Sequence, residues 1–206
     1  MNRAPAVRLV PWSILGAALV LPIAVVLHGA VRRPGGATLE EYGVVPEFSL
    51  VERSGRPVRM ADLRGTPWVA SFLFTRCSGS CPTLSRELGR LERRLGSRAR
   101  LVSFTVDPTH DTPEILRRYA EQVGAPSSRW LFLTGDRAAL HDVVQQGFRL
   151  SIAEEPSADP GEAVTHSSRV ALVDRDGRIR GYYLTTEEGW ADRVLGDLDA
   201  LESARG

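Results

Sequence analysis

Two cysteines, Cys77 and Cys81, are the only ones in the 206-residue chain, and they stand four positions apart. They follow the apolar run Trp68–Thr75, which is typical of a buried strand, and a segment with helical periodicity comes after them. If Cys81 lies in the first helical turn, this spacing stacks both sulfurs on one side of the helix start, where the helix dipole favours thiolates. Such a pair can close a disulfide or bind a soft metal ion.

Strands and helices alternate around the cysteine pair. A leucine stripe ends at Gly96, and helix-capping signals occur at Thr112-Pro113 and Asp136. Hairpins are predicted around Ser54-Gly55 and Asp176-Gly177. The predicted strands are Phe48–Val51, Pro57–Met60, Trp68–Thr75, Leu101–Val106, Trp130–Leu133, Arg169–Val173 and Ile179–Leu184. This pattern predicts an α/β fold with a mostly parallel central sheet, an antiparallel C-terminal hairpin and flanking helices.

The composition argues against two classes of protein. The formal net charge is +1, and no strip of basic residues is interleaved with aromatic residues, so nucleic-acid binding has little support. Two cysteines are too few for a disulfide framework in a chain of this size. A redox or metal role is therefore the better interpretation of the cysteine pair.

The N-terminal region predicts a membrane segment. No residue from 9 to 31 carries a fixed charge, and a helix of that length spans a hydrocarbon core of about 30 Å. We therefore expect a cytoplasmic N-terminus at 1–8, a transmembrane anchor at 9–31, a tether at 32–43 and a folded domain at 44–206. A cleaved signal peptide is the alternative interpretation of the apolar run.

Three motifs, in this order, resemble the Sco/SenC family. They are the sequences Phe72–Pro82, with both cysteines, Val106–Glu114, with the Asp107-Pro108 pair, and Thr165-His166-Ser167 before the strand that leads to Gly177. The resemblance covers the chain from about Val44 to its end. It implies a thioredoxin-like fold and the function of a membrane-anchored copper chaperone for the copper A centre of cytochrome c oxidase.

The resemblance also implies a ligand set of Cys77, Cys81 and His166. Two thiolates and one imidazole suit Cu(I), and the same set with an added oxygen ligand could hold Cu(II). Asp107 and His110 are candidates for contacts just outside the metal ligands, and His110 departs from the family pattern, which usually has arginine there. A structural disulfide, a surface histidine at 166, a solvent-exposed loop histidine at 110 and an Asp107 that only braces the Pro108 turn are the alternatives.

The expected function is delivery of copper to cytochrome c oxidase subunit II, and not enzyme catalysis. Another periplasmic copper chaperone or a thioredoxin-like reductase would be a further partner, and the folded domain would lie in the periplasm. The first alternative is a thiol-disulfide oxidoreductase that maintains the cysteines of the copper site or of other extracytoplasmic partners. The second is a thiol peroxidase, which would need a threonine such as Thr75 or Thr83 beside one reactive cysteine.

Overall fold

The strands and helices follow the alternation predicted above. The computed structural model describes residues 39–76, 81–125, 128–150, 153–154, 164–165 and 168–204. The strands in these ranges are β1 (Gly43–Val44), β2 (Ser49–Glu52), β3 (Pro57–Arg59), β4 (Trp68–Leu73), β5 (Arg100–Thr105), β6 (Trp130–Thr134), β7 (Ala153–Glu154), β8 (Val164–Thr165), β9 (Arg169–Val173) and β10 (Arg178–Leu184). The helices are α1 (Met60–Leu63), α2 (Cys81–Leu95), α3 (Pro113–Gln122), α4 (Arg137–His141) and α5 (Trp190–Ser203).

Eight of the described strands form one sheet in the order β1-β10-β9-β4-β5-β6-β2-β3, and β7 pairs with β8 separately. The prediction of a mostly parallel sheet is wrong, because only the β4–β5 and β5–β6 pairs of the described sheet are parallel. Parallel neighbours need a crossover connection, which α2 and α3 supply, whereas a hairpin can join only antiparallel neighbours. The β2–β3 and β9–β10 hairpins therefore make the flanks of the sheet antiparallel.

Strand β4 separates two hydrophobic clusters, one on each face of the sheet. Trp68 and Phe72 pack into the first cluster, and Val69 and Leu73 pack into the second. Because side chains alternate between the faces of a strand, a fully buried β4 requires the continuous apolar run that the sequence shows. The strand that leads to the cysteines is thus held from both sides.

Helix starts agree with the capping signals in the sequence. The Thr112 side chain accepts a hydrogen bond from the Ile115 N–H, and Pro113 occupies the first turn of α3. The Asp136 side chain accepts from the Ala139 N–H at the start of α4. After α4 the helical path continues to Gly147 as a π-helical segment, Asp142–Gly147.

The two predicted hairpin turns are also present. Gly55 and Gly177 have φ angles of 87° and 86°, a region that glycine enters without the steric cost of a Cβ atom.

Among the residues that the structure describes, no helix is long and apolar enough to cross a membrane. The predicted anchor at 9–31 lies outside those residues.

Candidate metal centre

The cysteine motif bridges the carboxyl end of β4 and the start of α2. Helix α2 begins at Cys81, so the backbone of this residue lies in the first helical turn, as the spacing argument requires. The unpaired N–H groups at a helix start carry partial positive charge, which favours a thiolate at that position. Cys77 lies outside the described residues, between Arg76 and Cys81.

An ion pair connects this motif to the next strand. Arg76 Nη2 donates to Asp107 Oδ2 at 2.6 Å, and Arg76 Nε donates to the same oxygen at 3.2 Å. Asp107 follows the carboxyl end of β5, and it was expected to share an edge of the sheet with the cysteine motif. Its contact with Arg76, the residue before Cys77, places it at that edge. Burial raises the pKa of Asp107, but hydrogen bonds from Arg76 and Thr109 outweigh that effect and hold the pKa below its usual range. Asp107 is therefore ionised at neutral pH.

A second carboxyl group, Asp111, lies on the same edge and is fully buried, with a relative exposure of 0%. Thr75 donates to it from its backbone N–H at 3.1 Å and from its hydroxyl at 2.5 Å, and the Thr105 hydroxyl donates at 2.5 Å. Burial raises the pKa of Asp111 above its usual range, and the hydrogen bonds from Thr105 and Thr75 offset only part of that rise. The Thr75 hydroxyl that the peroxidase alternative would use is thus bound to this carboxyl group.

His110 lies in the turn between these two carboxyl groups. Its backbone N–H donates to the Asp107 carbonyl at 3.2 Å, and its own carbonyl accepts from the Thr112 N–H at 2.8 Å. The residue is half-buried rather than fully exposed. His110 therefore belongs to the same edge as Asp107, and a role beside the metal ligands stays a prediction.

His166 lies outside the described residues, but the structure describes backbone on either side of it. Ala153 pairs with Thr165 in the β7–β8 ladder, directly before His166. After it, the Ser168 carbonyl accepts two hydrogen bonds from Thr185, from the backbone N–H and from the hydroxyl, both at 2.8 Å. The described residues just before and just after His166 are therefore both held by backbone hydrogen bonds.

The register of β9 decides at which edge of the sheet this loop ends. Strand β9 runs antiparallel to β4, with Ala171 opposite Ala70 and Val173 opposite Trp68. The start of β9 therefore lies toward the carboxyl end of β4, where the cysteine motif begins. The described residues Ser168, before β9, and Arg76, after β4, are thus connected to neighbouring strands at the same edge of the sheet.

The described side chains do not by themselves form a metal site. Within the part of the chain whose side chains are described, no group of three or more His, Cys, Asp and Glu residues is placed to hold a metal ion. The candidate ligands Cys77 and His166 fall outside that part, and Cys81 is described by its backbone alone. The described side chains at this edge include those of Arg76, Asp107, His110 and Asp111.

Sequence reasoning did not assign roles to Asp111 or Arg76. Both lie within the motifs that carry the family resemblance, but their importance depends on contacts across 36 and 31 positions of sequence. A usable signal was present: Asp107 and Asp111 follow one strand of a parallel pair, and Thr75 and Arg76 follow the other. Polar residues after neighbouring parallel strands meet at one edge of the sheet.

The fold and this edge define a thioredoxin-like α/β protein, with its cysteine motif between a central strand and the following helix. The resemblance to solved structures supports that class. BsSco, described as a member of the Sco family of cytochrome c oxidase assembly proteins, superposes with a TM-score of 0.70 at 25% identity over 82% of this chain and 99% of its own. Bradyrhizobium japonicum ScoI with copper bound gives a TM-score of 0.64 at 25% identity, over 76% of this chain and 98% of its own.

Sequence comparison shows the family. The chain matches SCO1/SenC over residues 36–201, and it belongs to that family. The SCO1 protein homolog of Bacillus subtilis (strain 168) is 28% identical over 178 residues, which are 83% of this chain and 90% of the relative. The mitochondrial SCO2 homolog of Bos taurus is 31% identical over 143 residues, which are 66% of this chain and 52% of the relative. The family predicted from the three motifs is therefore confirmed.

Proposed function

We propose that this protein is a membrane-anchored copper chaperone rather than an enzyme. It binds one copper ion as its cargo through Cys77, Cys81 and His166, and it delivers the ion to the copper A site of cytochrome c oxidase subunit II. The observation that carries the proposal is the register of β9 against β4, because it brings Ser168, two residues after His166, and Arg76, directly before Cys77, toward the same sheet edge. Membership of the SCO1/SenC family and the copper-bound ScoI relative support it.

The chemistry of the ligand set fits a carrier of Cu(I). Thiolate sulfur is a soft ligand that selects Cu(I), and a neutral imidazole nitrogen completes a set of low coordination number. Transfer then proceeds by ligand exchange, in which each bond from a ligand to copper is replaced by a bond to a ligand of the partner. No electron is transferred in this step, so copper keeps its oxidation state.

The proposed location follows from this role. Residues 9–31 anchor the protein in the cytoplasmic membrane, and the domain from residue 44 faces the periplasm or an equivalent compartment, where the client site is assembled. Transfer by ligand exchange requires both proteins on the same side of the membrane. Extraction of the full-length protein by carbonate washing, without detergent, would contradict the anchor.

A second candidate function is thiol-disulfide exchange. The BsSco relative is described as having a disulfide switch, which favours a redox role for the corresponding pair here. In this reaction the Cys77 and Cys81 thiols reduce a disulfide of the partner, and they are themselves oxidised to a disulfide with transfer of two electrons and two protons. The partner would be an extracytoplasmic protein such as the apo form of the copper A domain.

Copper loading of the reduced full-length protein in detergent tests the chaperone proposal. We expect one copper per chain, and X-ray absorption should report two sulfur ligands and one imidazole nitrogen. Cys77→Ser and His166→Ala should each abolish stoichiometric tight binding, whereas His141→Ala, at an exposed helix residue, should bind as the parent does. Tight binding retained in His166→Ala would remove this residue from the ligand set.

The same protein preparation distinguishes the second candidate function, thiol-disulfide exchange, from copper delivery. Incubation of the reduced protein with an oxidised copper A apo-domain should leave that disulfide intact if the protein is only a chaperone. Stoichiometric reduction of the apo-domain, together with failure to retain copper, would favour the oxidoreductase.

A further inference from the structure

Asp111 differs from the other buried carboxyl groups in the described residues. Glu52, Glu92, Asp107 and Asp174 each have an arginine nitrogen within 3.4 Å. Asp111 is more deeply buried than any of them, at 0% exposure, and its hydrogen-bond donors are neutral groups. Burial of a carboxyl group without a cationic partner is costly, so its position at this edge needs an explanation.

The hydrogen bonds of Asp111 join the ends of the two central strands. Thr105 is the last residue of β5, and its hydroxyl accepts from the Asp107 N–H at 3.0 Å, which leaves its proton for Asp111. Thr75 lies two residues beyond the end of β4, and Asp111 accepts from both its N–H and its hydroxyl. One side chain thus satisfies three donors from two strands.

We propose that Asp111 is a positioning residue for the copper site, which fixes the backbone at Thr75 and so the direction in which the chain leaves β4 toward Cys77. This inference rests on the proposed function, because it assigns Asp111 a role in the same site. Only one residue, Arg76, separates Thr75 from Cys77, and the ion pair with Asp107 restrains that residue as well. Each of the two residues before the first candidate ligand therefore has its own carboxylate partner.

The physical reason for such a device is preorganisation. A metal site binds tightly when its ligands are held in place before the metal arrives, and loss of a supporting contact commonly lowers metal affinity about 10- to 100-fold. Without the Asp111 carboxyl group, the Thr75 N–H and two hydroxyl groups lose their acceptor in a buried place. The segment that leads to Cys77 must then rearrange to satisfy them.

The test compares Asp111→Asn and Thr75→Val with a control in the full-length protein. Ser71→Ala is the matched control, since it removes a buried hydrogen bond of 2.7 Å to Ser103 within the sheet and leaves the edge network intact. For each protein we would measure Cu(I) affinity by competition with a chromophoric chelator. Unfolding by denaturant would establish that the control loses stability too.

A second readout needs no copper. The pH profile for alkylation of Cys77 by iodoacetamide, followed by mass spectrometry in the metal-free reduced protein, reports the surroundings of the thiol. A residue that only contributes stability would leave this profile unchanged.

We expect Asp111→Asn to weaken Cu(I) binding about 10- to 100-fold and to shift the alkylation profile of Cys77. Thr75→Val, which keeps the N–H but loses the hydroxyl, should change both in the same direction by less. Ser71→Ala should match the parent protein in both measurements.

The outcomes distinguish this inference from the proposed function. If the parent binds one copper and both edge variants keep its affinity and its alkylation profile, the positioning role is wrong and the chaperone proposal stands. If the parent binds no copper but the edge variants shift the alkylation profile, the chaperone proposal fails and takes the copper-site role with it, whereas the positioning of Cys77 by Asp111 stands. If Asp111→Asn does not fold, Thr75→Val decides, and parent-like behaviour in that variant overturns the inference.

Discussion

Arg76 donates a 2.6 Å hydrogen bond to Asp107, which ties the residue directly before Cys77 to the residue that follows β5 by two positions. The two partners differ in burial: Asp107 is 8% exposed, whereas the Arg76 side chain is 40% exposed. The carboxylate is therefore the fixed partner. Its removal would leave a mobile cation beside the first candidate ligand.

Asp107→Asn should destabilise the protein at neutral pH by about 1 kcal/mol, a value kept low because Arg76 is partly solvated. The folded pKa of Asp107 is lowered, so its contribution is present above the unfolded pKa of about 3.9 and is lost as the pH falls through the folded value. The difference in unfolding free energy between variant and parent should therefore shrink below about pH 4. Denaturant unfolding between pH 7 and pH 3 measures it, and a constant difference would contradict the assignment.

Asp111→Asn should show the opposite dependence on pH. The folded pKa of Asp111 is raised, so its contribution to stability is fully present below the unfolded pKa of about 3.9 and is lost as the pH rises through the folded value. Asparagine cannot ionise, so the variant should gain stability relative to the parent as the pH rises through that window. The same unfolding series, with Asp107→Asn as the comparison, gives the sign directly.

Gly147→Ala should destabilise the protein, because a Cβ atom there would lie 2.6 Å from Cδ of Pro46, a ring atom with little freedom to move. Gly196→Ala is the matched control. Gly196 lies in the exposed interior of α5, where a Cβ atom meets nothing within 4 Å, and alanine there should stabilise the helix by about 0.5–1 kcal/mol. Thermal unfolding of the two variants should shift the midpoint in opposite directions.

Phe148→Ala should cost about 3–5 kcal/mol of stability through the cavity that it leaves. The ring is fully buried and lies 5.1 Å from the Phe72 ring in β4, just before the loop that contains His166. Leu184→Ala, at a side chain with 36% exposure, should change stability by less than about 1 kcal/mol. Similar losses in both variants would show that Phe148 is not a core anchor.

The sequence predicted the parts of this fold that depend on local signals. The caps at Thr112 and Asp136 and the hairpin turn at Gly177 rest on interactions within a few residues, and all three are present. The prediction of a mostly parallel sheet was wrong, because the antiparallel pairs β1–β10, β4–β9 and β2–β6 join segments that are distant in sequence and have no local signal. The local sequence pattern likewise does not distinguish the π-helical segment from a continuing α-helix.

The candidate site shows the same difference between what local signals predict and what depends on distant contacts. The family motifs led to Asp107, and the structure brings it to the cysteine motif through Arg76. Asp111 stood in the same motif, but its role became visible only through its contacts with Thr75 and Thr105. The assignments of Cys77, Cys81 and His166 as ligands stay predictions that copper loading will test.

The position of β4 has a consequence for how the protein responds to copper. The strand is paired with β5 along its whole length and with β9 at Trp68–Ala70, and all of its residues are buried. Its amide hydrogens should therefore exchange with deuterium only when the whole domain opens, and they should be among the slowest in the chain. The cysteine motif is thus attached to a rigid strand. Any rearrangement on gain or loss of copper should therefore be confined to the loops at the carboxyl end of β4.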